Sequence, residues 1–286
     1  VVTYNPDAGR VSKLIWNLLR ASAAVVVVDN SDQLPFAGVI EHPDYTLVAL
    51  GENVGIARAQ NIGVKQALAF NADVIVLFDQ DSEPCANYLE DIVSGLDAGL
   101  PTVAAPVCID RQTGSSLPSF RLSRFGRTTK VYADERKLPY PVDLVIASGA
   151  AATAATFLQV GYMDESLFID FVDFEWCMRC RKQRVPIRVV PVARLQHSIG
   201  DETLRFGPVR GALHSPSRTY YKVRNAILLF RKPVVPFLFA LSSTIHALAF
   251  AVAVLVVADR RGEYAQMVVT AIWHAFAGVS GKLSVD

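Results

Sequence analysis

At 286 residues, the chain is long enough for a large core and two lobes. A formal net charge of +1 without a long basic run argues against nucleic acid as a partner. Four scattered cysteines (Cys85, Cys108, Cys177, Cys180) are too few for a disulfide framework. Hydrophobic residues make up 51% of the chain, and much of that excess falls after Lys232.

Residues 1–4 read as the tail of a short strand with no charged and apolar leader before it. Together with reduced cysteines this predicts the cytosolic side, and the missing initial Met suits a processed or trimmed start. Residues 11–19 carry apolar positions at helical spacing, and 23–28 form an apolar, β-branched run that ends in Asp29-Asn30-Ser31. Strands are expected at 45–50, 74–78 and 102–107, and helices at 55–70 and 89–96. Continuous apolar strands alternating with helices predict a mostly parallel, Rossmann-like α/β sheet covered by helices on both faces. In such sheets ligands bind beyond the carboxyl ends of the strands. The polar punctuation falls there: Thr3-Tyr4-Asn5, Asp29-Asn30-Ser31, Asn53 and Asp79-Gln80-Asp81-Ser82.

The last of these is the sharpest local signal. On an extended backbone, side chains at i and i+2 point the same way, so Asp79 and Asp81 could converge on one hard cation shared with a phosphate. Asp and Ser also form turns, and on spacing alone both readings stand.

Residues 108–138 lack periodicity and are expected to form a long connection. A strand over 142–150 ends in Ser148-Gly149-Ala150, small enough for backbone to approach a ligand closely. A short helix at 154–160, an acidic aromatic segment at 164–175, a helix through 182 and a strand at 187–191 follow. Cys177-Met178-Arg179-Cys180 sits in the helical pattern and reads as two helix residues rather than a redox or zinc motif. Residues 234–258 carry no formal charge and lie between Arg231-Lys232 and Asp259-Arg260-Arg261. That length could span a bilayer, yet Pro236, Ser242, Ser243, Thr244 and His246 interrupt it. A helix lying in the membrane interface is favoured over a spanning helix and over a buried hairpin.

Taken in order, the motifs resemble those of family 2 glycosyltransferases with the GT-A fold, and specifically the bacterial rhamnosyltransferases. The resemblance covers residues 1–232. It rests on Val2-Thr3-Tyr4-Asn5-Pro6, Val28-Asp29-Asn30-Ser31 and the run from Asn53-Val54-Gly55 to Asn61-Ile62-Gly63. It rests equally on Phe78-Asp79-Gln80-Asp81-Ser82, Asp173-Phe174-Glu175-Trp176, His197-Ser198-Ile199-Gly200 and Tyr220-Tyr221-Lys222-Val223-Arg224-Asn225. The organisation expected is a nucleotide-sugar half at 1–112, an acceptor-binding and catalytic half at 113–232, and an apolar helical, membrane-associated tail at 233–286.

The resemblance implies transfer of L-rhamnose from dTDP-rhamnose, with inversion, onto a lipid-linked or growing surface polysaccharide. The implied location is the cytosolic face of a bacterial inner membrane. Alternatives are a UDP-hexose donor, nucleotidyl transfer, or a non-catalytic nucleotide-sugar-binding module. Mg²⁺ or Mn²⁺ would neutralise the leaving diphosphate. The resemblance gives Asp81 the direct metal contact, Asp79 a ribose or water-mediated one, and His197 a third, against a hydrogen-bonded core histidine.

Asp29 could accept from a pyrimidine N3–H or cap a turn; Thr3, Tyr4 and Asn5 would border the same nucleoside. Asn53 is expected to cap the following helix, Gly55 and Ala59 to pack it on the sheet, and Arg58 to reach the diphosphate or a motif Asp. Gln80, Ser148 and Gly149 complete the donor surface. Arg218 and Arg224 would face the diphosphate or a lipid pyrophosphate, or else anionic lipid heads. Direct displacement requires a base for the acceptor hydroxyl; the resemblance assigns it to Asp173, with Glu175 contacting the acceptor and Asp170 the alternative base. Charges stabilising a helix N-terminus would explain one of these carboxylates. Trp176 and Phe171 could stack on a sugar or fill the core.

Overall fold

The computed structural model describes residues 1–21, 23–32, 36, 40–111, 113–133, 136–197, 203–206, 209–212 and 214–283, with backbone alone at 197, 203–206 and 209–212. The order begins β1 (Val2–Thr3), α1 (Ala8–Arg20), β2 (Val25–Asp29), β3 (Tyr45–Ala49), α2 (Ile56–Ala69), β4 (Val74–Val76), β5 (Glu83–Pro84), α3 (Tyr88–Val93) and β6 (Val103–Asp110). There follow β7 (Ser119–Leu122), β8 (Thr128–Val131), β9 (Tyr140–Val142), β10 (Ala151–Thr153), α4 (Ala154–Val160), α5 (Val172–Lys182) and β11 (Ile187–His197). The chain closes with β12 (Thr203–Phe206), β13 (Val209–Ala212), α6 (Pro216–Leu228), α7 (Phe237–Val257) and α8 (Arg261–Ala277).

Strands β1, β2 and β3 pair in parallel, and a second sheet runs β4-β10-β6-β11-β5 with β9 added to β11. A parallel bridge from Val2 to Asp79 joins the two at the end of β4, where the Val2 N–H donates to the Phe78 carbonyl at 3.1 Å. β6 and β11 are parallel, and β10 runs antiparallel between β4 and β6. Alternation along β6 feeds two cores. Val103, Ala105 and Val107 pack with α2, α4 and α5; Ala104 and Cys108 pack with α1 and α3 on the opposite face. Helix starts follow local chemistry: Asp7 accepts from the Arg10 N–H at 2.9 Å, and Ser215 caps α6 ahead of Pro216. β11 changes register between Val190 and Arg194, where Pro191 cannot donate to a ladder.

Two expectations are corrected. The stretch 108–138 is not a bare connection: β7 and β8 form an antiparallel hairpin within it. The strand expected at 142–150 is irregular between β9 and β10, with only an isolated bridge from Leu144 to Phe120. Its last residues instead turn back so that the Gly149 N–H meets the Leu77 carbonyl at 2.6 Å.

The C-terminal helices form a layer in which α6 packs on both α7 and α8. The layer is tied to the loop ahead of α5. The Gly281 N–H donates to the Ser166 carbonyl at 2.6 Å, and Arg224 Nη1 donates to the Gly281 carbonyl at 2.7 Å. α7 is apolar enough and long enough to cross a membrane by composition, though a third of its most apolar window is buried against the protein.

Candidate active site

The strand ends converge as the pattern predicts, and hydrogen bonds sew them together. The Tyr4 N–H donates to Gln80 Oε1 at 2.7 Å, and the Asn5 N–H donates to Ser31 Oγ at 2.8 Å. Asp29 Oδ1 accepts from Thr3 Oγ1 at 2.9 Å and from Ser31 Oγ at 2.7 Å, while Oδ2 accepts from the Phe36 N–H at 2.6 Å. Asp29 is 1% exposed. The expectation that its carboxylate meets a base is therefore corrected: buried with both oxygens engaged, it holds the crevice in shape. Tyr4, Asn5 and Arg58 are exposed. Asn53 is not the cap of α2; its Oδ1 accepts from Asn30 Nδ2 and the Gly55 N–H, both at 3.0 Å, tying β2 to the entry of α2.

Gly55 is the residue that caps α2, at φ +86°, and a Cβ there would lie 2.5 Å from the Phe168 ring. Its smallness admits the loop before α5 rather than the sheet. Gly149 is likewise corrected. A Cβ there would lie 2.4 Å from the Tyr88 hydroxyl, which donates to the Gly149 carbonyl at 2.6 Å, so the close approach serves packing and not a ligand.

The Asp79-Gln80-Asp81-Ser82 segment is a turn, not an extended strand end. The Ser82 N–H donates to the Asp79 carbonyl, and Ser82 Oγ accepts from the Asp79 N–H, both at 3.1 Å. Ser82 Oγ also lies 3.0 Å from Ser148 Oγ. The turn separates two hollows. Asp79 and Ser148 line a cleft of about 490 Å³ with Gln60, Asp170, Asp173, Arg218 and Lys222. Gln80 and Asp81 line another of about 740 Å³ beside Arg10, Lys13 and Arg194. Among the described residues no group of three His, Cys, Asp or Glu side chains is placed to hold a metal. His197 ends β11, and its side chain lies outside the described residues, as do Ser198, Ile199 and Gly200.

Asp173 lies in the first turn of α5, half-buried in the cleft. Its carboxyl is pushed up to about 6, first by burial and then by the like charges of Asp170 and Asp79; a hydrogen bond from the Phe174 N–H opposes the shift. Asp170 pairs with Arg218 at 3.5 Å. Lys222, one turn further along α6, is held below the usual amine range by burial, an effect the Asp170 charge partly offsets. The loop that carries these carboxylates is strained: Phe168, Asp170 and Phe171 all adopt φ between +63° and +65°.

Asn225 holds this loop, donating through Nδ2 to the carbonyls of Leu167 and Ile169, both at 2.7 Å, and of Asp170 at 3.3 Å. Arg224 is fully buried beside it, and its guanidinium bonds Asn225 Oδ1 and the carbonyls of Gly281 and Leu167. The expected diphosphate contact of Arg224 is thereby corrected: it has no surface in the cleft. Glu175 is corrected too. It is 5% exposed and clamps Arg179 through both oxygens, at 2.9–3.0 Å. Trp176 and Phe157 pack in the core, with the Trp176 indole N–H donating to the Gly161 carbonyl. Cys177 and Cys180 share α5, and burial pushes the Cys180 thiol up to about 12, so they are inert helix residues.

Sequence reasoning overlooked Gln60 and Lys222 as lining residues. Gln60 had a readable signal: with Ala57, Asn61 and Val64 it occupies the buried stripe of α2, where an unexplained polar residue asks for a partner. Asn61 has one in Met163, accepting from its N–H at 2.8 Å and donating to its carbonyl at 3.0 Å.

Comparisons with known proteins give the family and the fold. The profile described as Glycosyl transferase family 2 matches residues 1–153. The dTDP-rhamnosyl transferase RfbF of Shigella flexneri is 33% identical over 282 residues, covering 98% of this chain and 95% of that protein. The chain belongs to glycosyltransferase family 2. Its fold is shared with S. aureus TarS 1–349 in complex with UDP-GlcNAc, at a TM-score of 0.58 and 15% identity over 97% of this chain and 80% of that one. GalNAc-T7 with UDP, GalNAc and Mn²⁺ aligns at a TM-score of 0.55 and 15% identity, covering 78% of this chain and 46% of the other. The family 2 chain is thus a glycosyltransferase of GT-A architecture, a mostly parallel sheet flanked by helices.

Proposed function

We propose that this glycosyltransferase transfers L-rhamnose from dTDP-rhamnose, with inversion, onto a saccharide acceptor that is part of a lipid-linked or growing surface polysaccharide. The observation that carries the mechanism is that Asp79, of the diphosphate turn, and Asp173, the base, line one cleft. Rhamnose as the donor sugar is supported by the relationship to RfbF. Asp173 takes the proton of the acceptor hydroxyl. The oxygen forms a bond to the anomeric carbon while the bond to the diphosphate breaks, and its electron pair leaves with the diphosphate. Arg218 and Lys222 place positive charge in the same cleft, where negative charge develops.

The donor set at the turn suits a hard divalent cation. Asp79 and Asp81 belong to one turn but line different hollows, so the ion would be held in the cleft by Asp79, with a nucleotide diphosphate and water completing the shell. Mg²⁺ or Mn²⁺ bound there supplies Lewis-acid neutralisation of the leaving diphosphate. In this reading residues 1–112 supply the donor half, 113–232 the catalytic half and 233–286 the membrane-facing tail.

Membrane association is supported by side chains that the fold leaves uncovered, and the cytosolic face is the one that suits a nucleotide-sugar donor. Leu241, Ile245, Val252 and Val256 of α7 and Val269, Trp273 and Phe276 of α8 are all exposed, each set at helical spacing. The test is a donor screen of the full chain with Mg²⁺, following nucleotide release from dTDP-rhamnose, UDP-glucose and UDP-N-acetylglucosamine. Release from dTDP-rhamnose at least tenfold faster than from the others is expected. Preference for a UDP-sugar would overturn the rhamnosyl assignment.

A further inference from the structure

The cleft contains polar atoms that the protein itself leaves without partners. Among the described residues, the buried side-chain atoms lacking any hydrogen bond are Tyr45 Oη, Gln60 Oε1, Asp170 Oδ2 and Arg218 Nε. The last three all belong to residues that line the cleft. Buried polar groups are almost always satisfied, because each orphan costs about 1–3 kcal/mol. Three orphans in one cleft mark a place where partners arrive with a ligand.

Gln60 is the most informative, being 5% exposed. It also borders a hollow of about 300 Å³ whose other lining residues are all apolar. That hollow is also lined by Val1, whose ammonium donates to the Val26 carbonyl at 2.8 Å. The cleft on the other side is where a ligand can bring a hydrogen-bond donor to Gln60 Oε1. Asp170 uses Oδ1 for Arg218, which leaves the pair one unused acceptor and one unused donor.

We propose that Gln60, Asp170 and Arg218 form the subsite for the donor's sugar and read its hydroxyl groups. The proposal rests on the reading of the cleft as the donor site. Two acceptors and one donor match a polyol: each sugar hydroxyl gives one hydrogen and accepts through its lone pairs. The hydrogens of two hydroxyls go to Gln60 Oε1 and Asp170 Oδ2, and Arg218 Nε donates to a hydroxyl oxygen. Of the two sugars in the reaction, the donor's is tethered to the diphosphate at Asp79 and must present its anomeric carbon near Asp173. It therefore occupies the span between those two carboxylates, which the three residues share. Ile56, Ile146 and Ile169 line the same cleft and offer apolar contact for the methyl group of a 6-deoxyhexose. A site built around unpaired polar atoms discriminates strongly against a sugar lacking the matching hydroxyl.

The test compares dTDP-rhamnose with dTDP, each titrated by calorimetry with Mg²⁺ into the full chain and into Gln60→Leu, Asp170→Asn and Arg218→Gln. Wild type should bind the sugar nucleotide more tightly than dTDP. Gln60→Leu and Asp170→Asn should keep their dTDP affinity within twofold and lose about tenfold for dTDP-rhamnose. Arg218→Gln, which also removes a charge facing the diphosphate, should lose more for dTDP-rhamnose than for dTDP. Unchanged affinity for dTDP-rhamnose in all three variants overturns the subsite, and so does an equal loss for both ligands. A wild type that ignores both ligands refutes the rhamnosyl reading instead. The same comparison with UDP-glucose and UDP then decides the subsite.

Discussion

The proposed role of Asp173 as the base is supported by surroundings that oppose its charge. With its carboxyl pushed up to about 6, it is ionised at pH 7 and still basic enough to accept a proton. The turnover number should therefore rise with pH around a midpoint near 6 and level off above it, which a pH profile at saturating dTDP-rhamnose would show. Asp173→Asn should lower turnover by about 10²–10⁴-fold while leaving dTDP-rhamnose affinity nearly intact by calorimetry. The same raised value carries a stability consequence. A carboxyl that binds its proton more tightly folded than unfolded makes the fold less stable as pH climbs from about 4 to about 6. Above that window the full cost applies, on the order of 3 kcal/mol. Asp173→Asn should thus raise the urea midpoint at pH 7 and leave it little changed at pH 4.

Several residues show where the chemistry of a sequence misleads. Glu175 and Arg224 carry charge within motifs that point to catalysis, yet each is buried in contacts of its own. A charged side chain reveals that it needs partners, but not whether those partners belong to the protein or to a ligand. Asp29 ends β2 and Asp79 follows β4 in a turn, and only the packing of loops around them separates an internal brace from a cleft residue.

At the scale of elements, the decisive piece is the short loop between the 3₁₀ turn at Glu165–Leu167 and α5. Its residues take left-handed conformations that non-glycine side chains resist, at a cost of about 1–3 kcal/mol each. Asn225 offsets that strain with three carbonyl contacts, and Phe168 stacks on Tyr221 at 4.6 Å. Asn225→Leu should destabilise the protein by about 2–4 kcal/mol in urea titration. In the folded fraction it should lower turnover far more than it raises the KM for dTDP-rhamnose. Equal effects on both would mean that the loop serves donor binding rather than placement of the base. Elements whose residues alternate or repeat cleanly, such as β2, α2 and α4, were legible from apolar spacing alone. The β7–β8 hairpin was not. Its strands are four residues each, and only Phe120, Leu122 and Val131 among them pack on the core, an alternation too short to stand out in the sequence.

At the scale of the molecule, the sheet, its two faces and the convergence of strand ends were readable because parallel strands must be buried on both sides. The sharing of work between faces was not, since the turn at Asp79 is a tertiary reversal that spacing cannot show. The apolar layer of α7 and α8 predicts a further behaviour. The full chain should sediment with phosphatidylglycerol-containing vesicles. Val252→Gln combined with Trp273→Gln should reduce the bound fraction at least threefold without altering dTDP-rhamnose affinity. Unchanged sedimentation would leave that layer with no role at a lipid surface.

The bonds at Gly281 bear on how such a protein can be handled. Cutting the chain before α7 would discard the apolar surface, and it would also take away the Gly281 carbonyl that Arg224 donates to and the His274 nitrogen that meets the Tyr220 hydroxyl at 2.7 Å. A soluble enzyme is therefore better sought by polar replacement of outward-facing side chains than by deletion, because the segment around Gly281 is the buttress against which the loop leading to Asp173 is set.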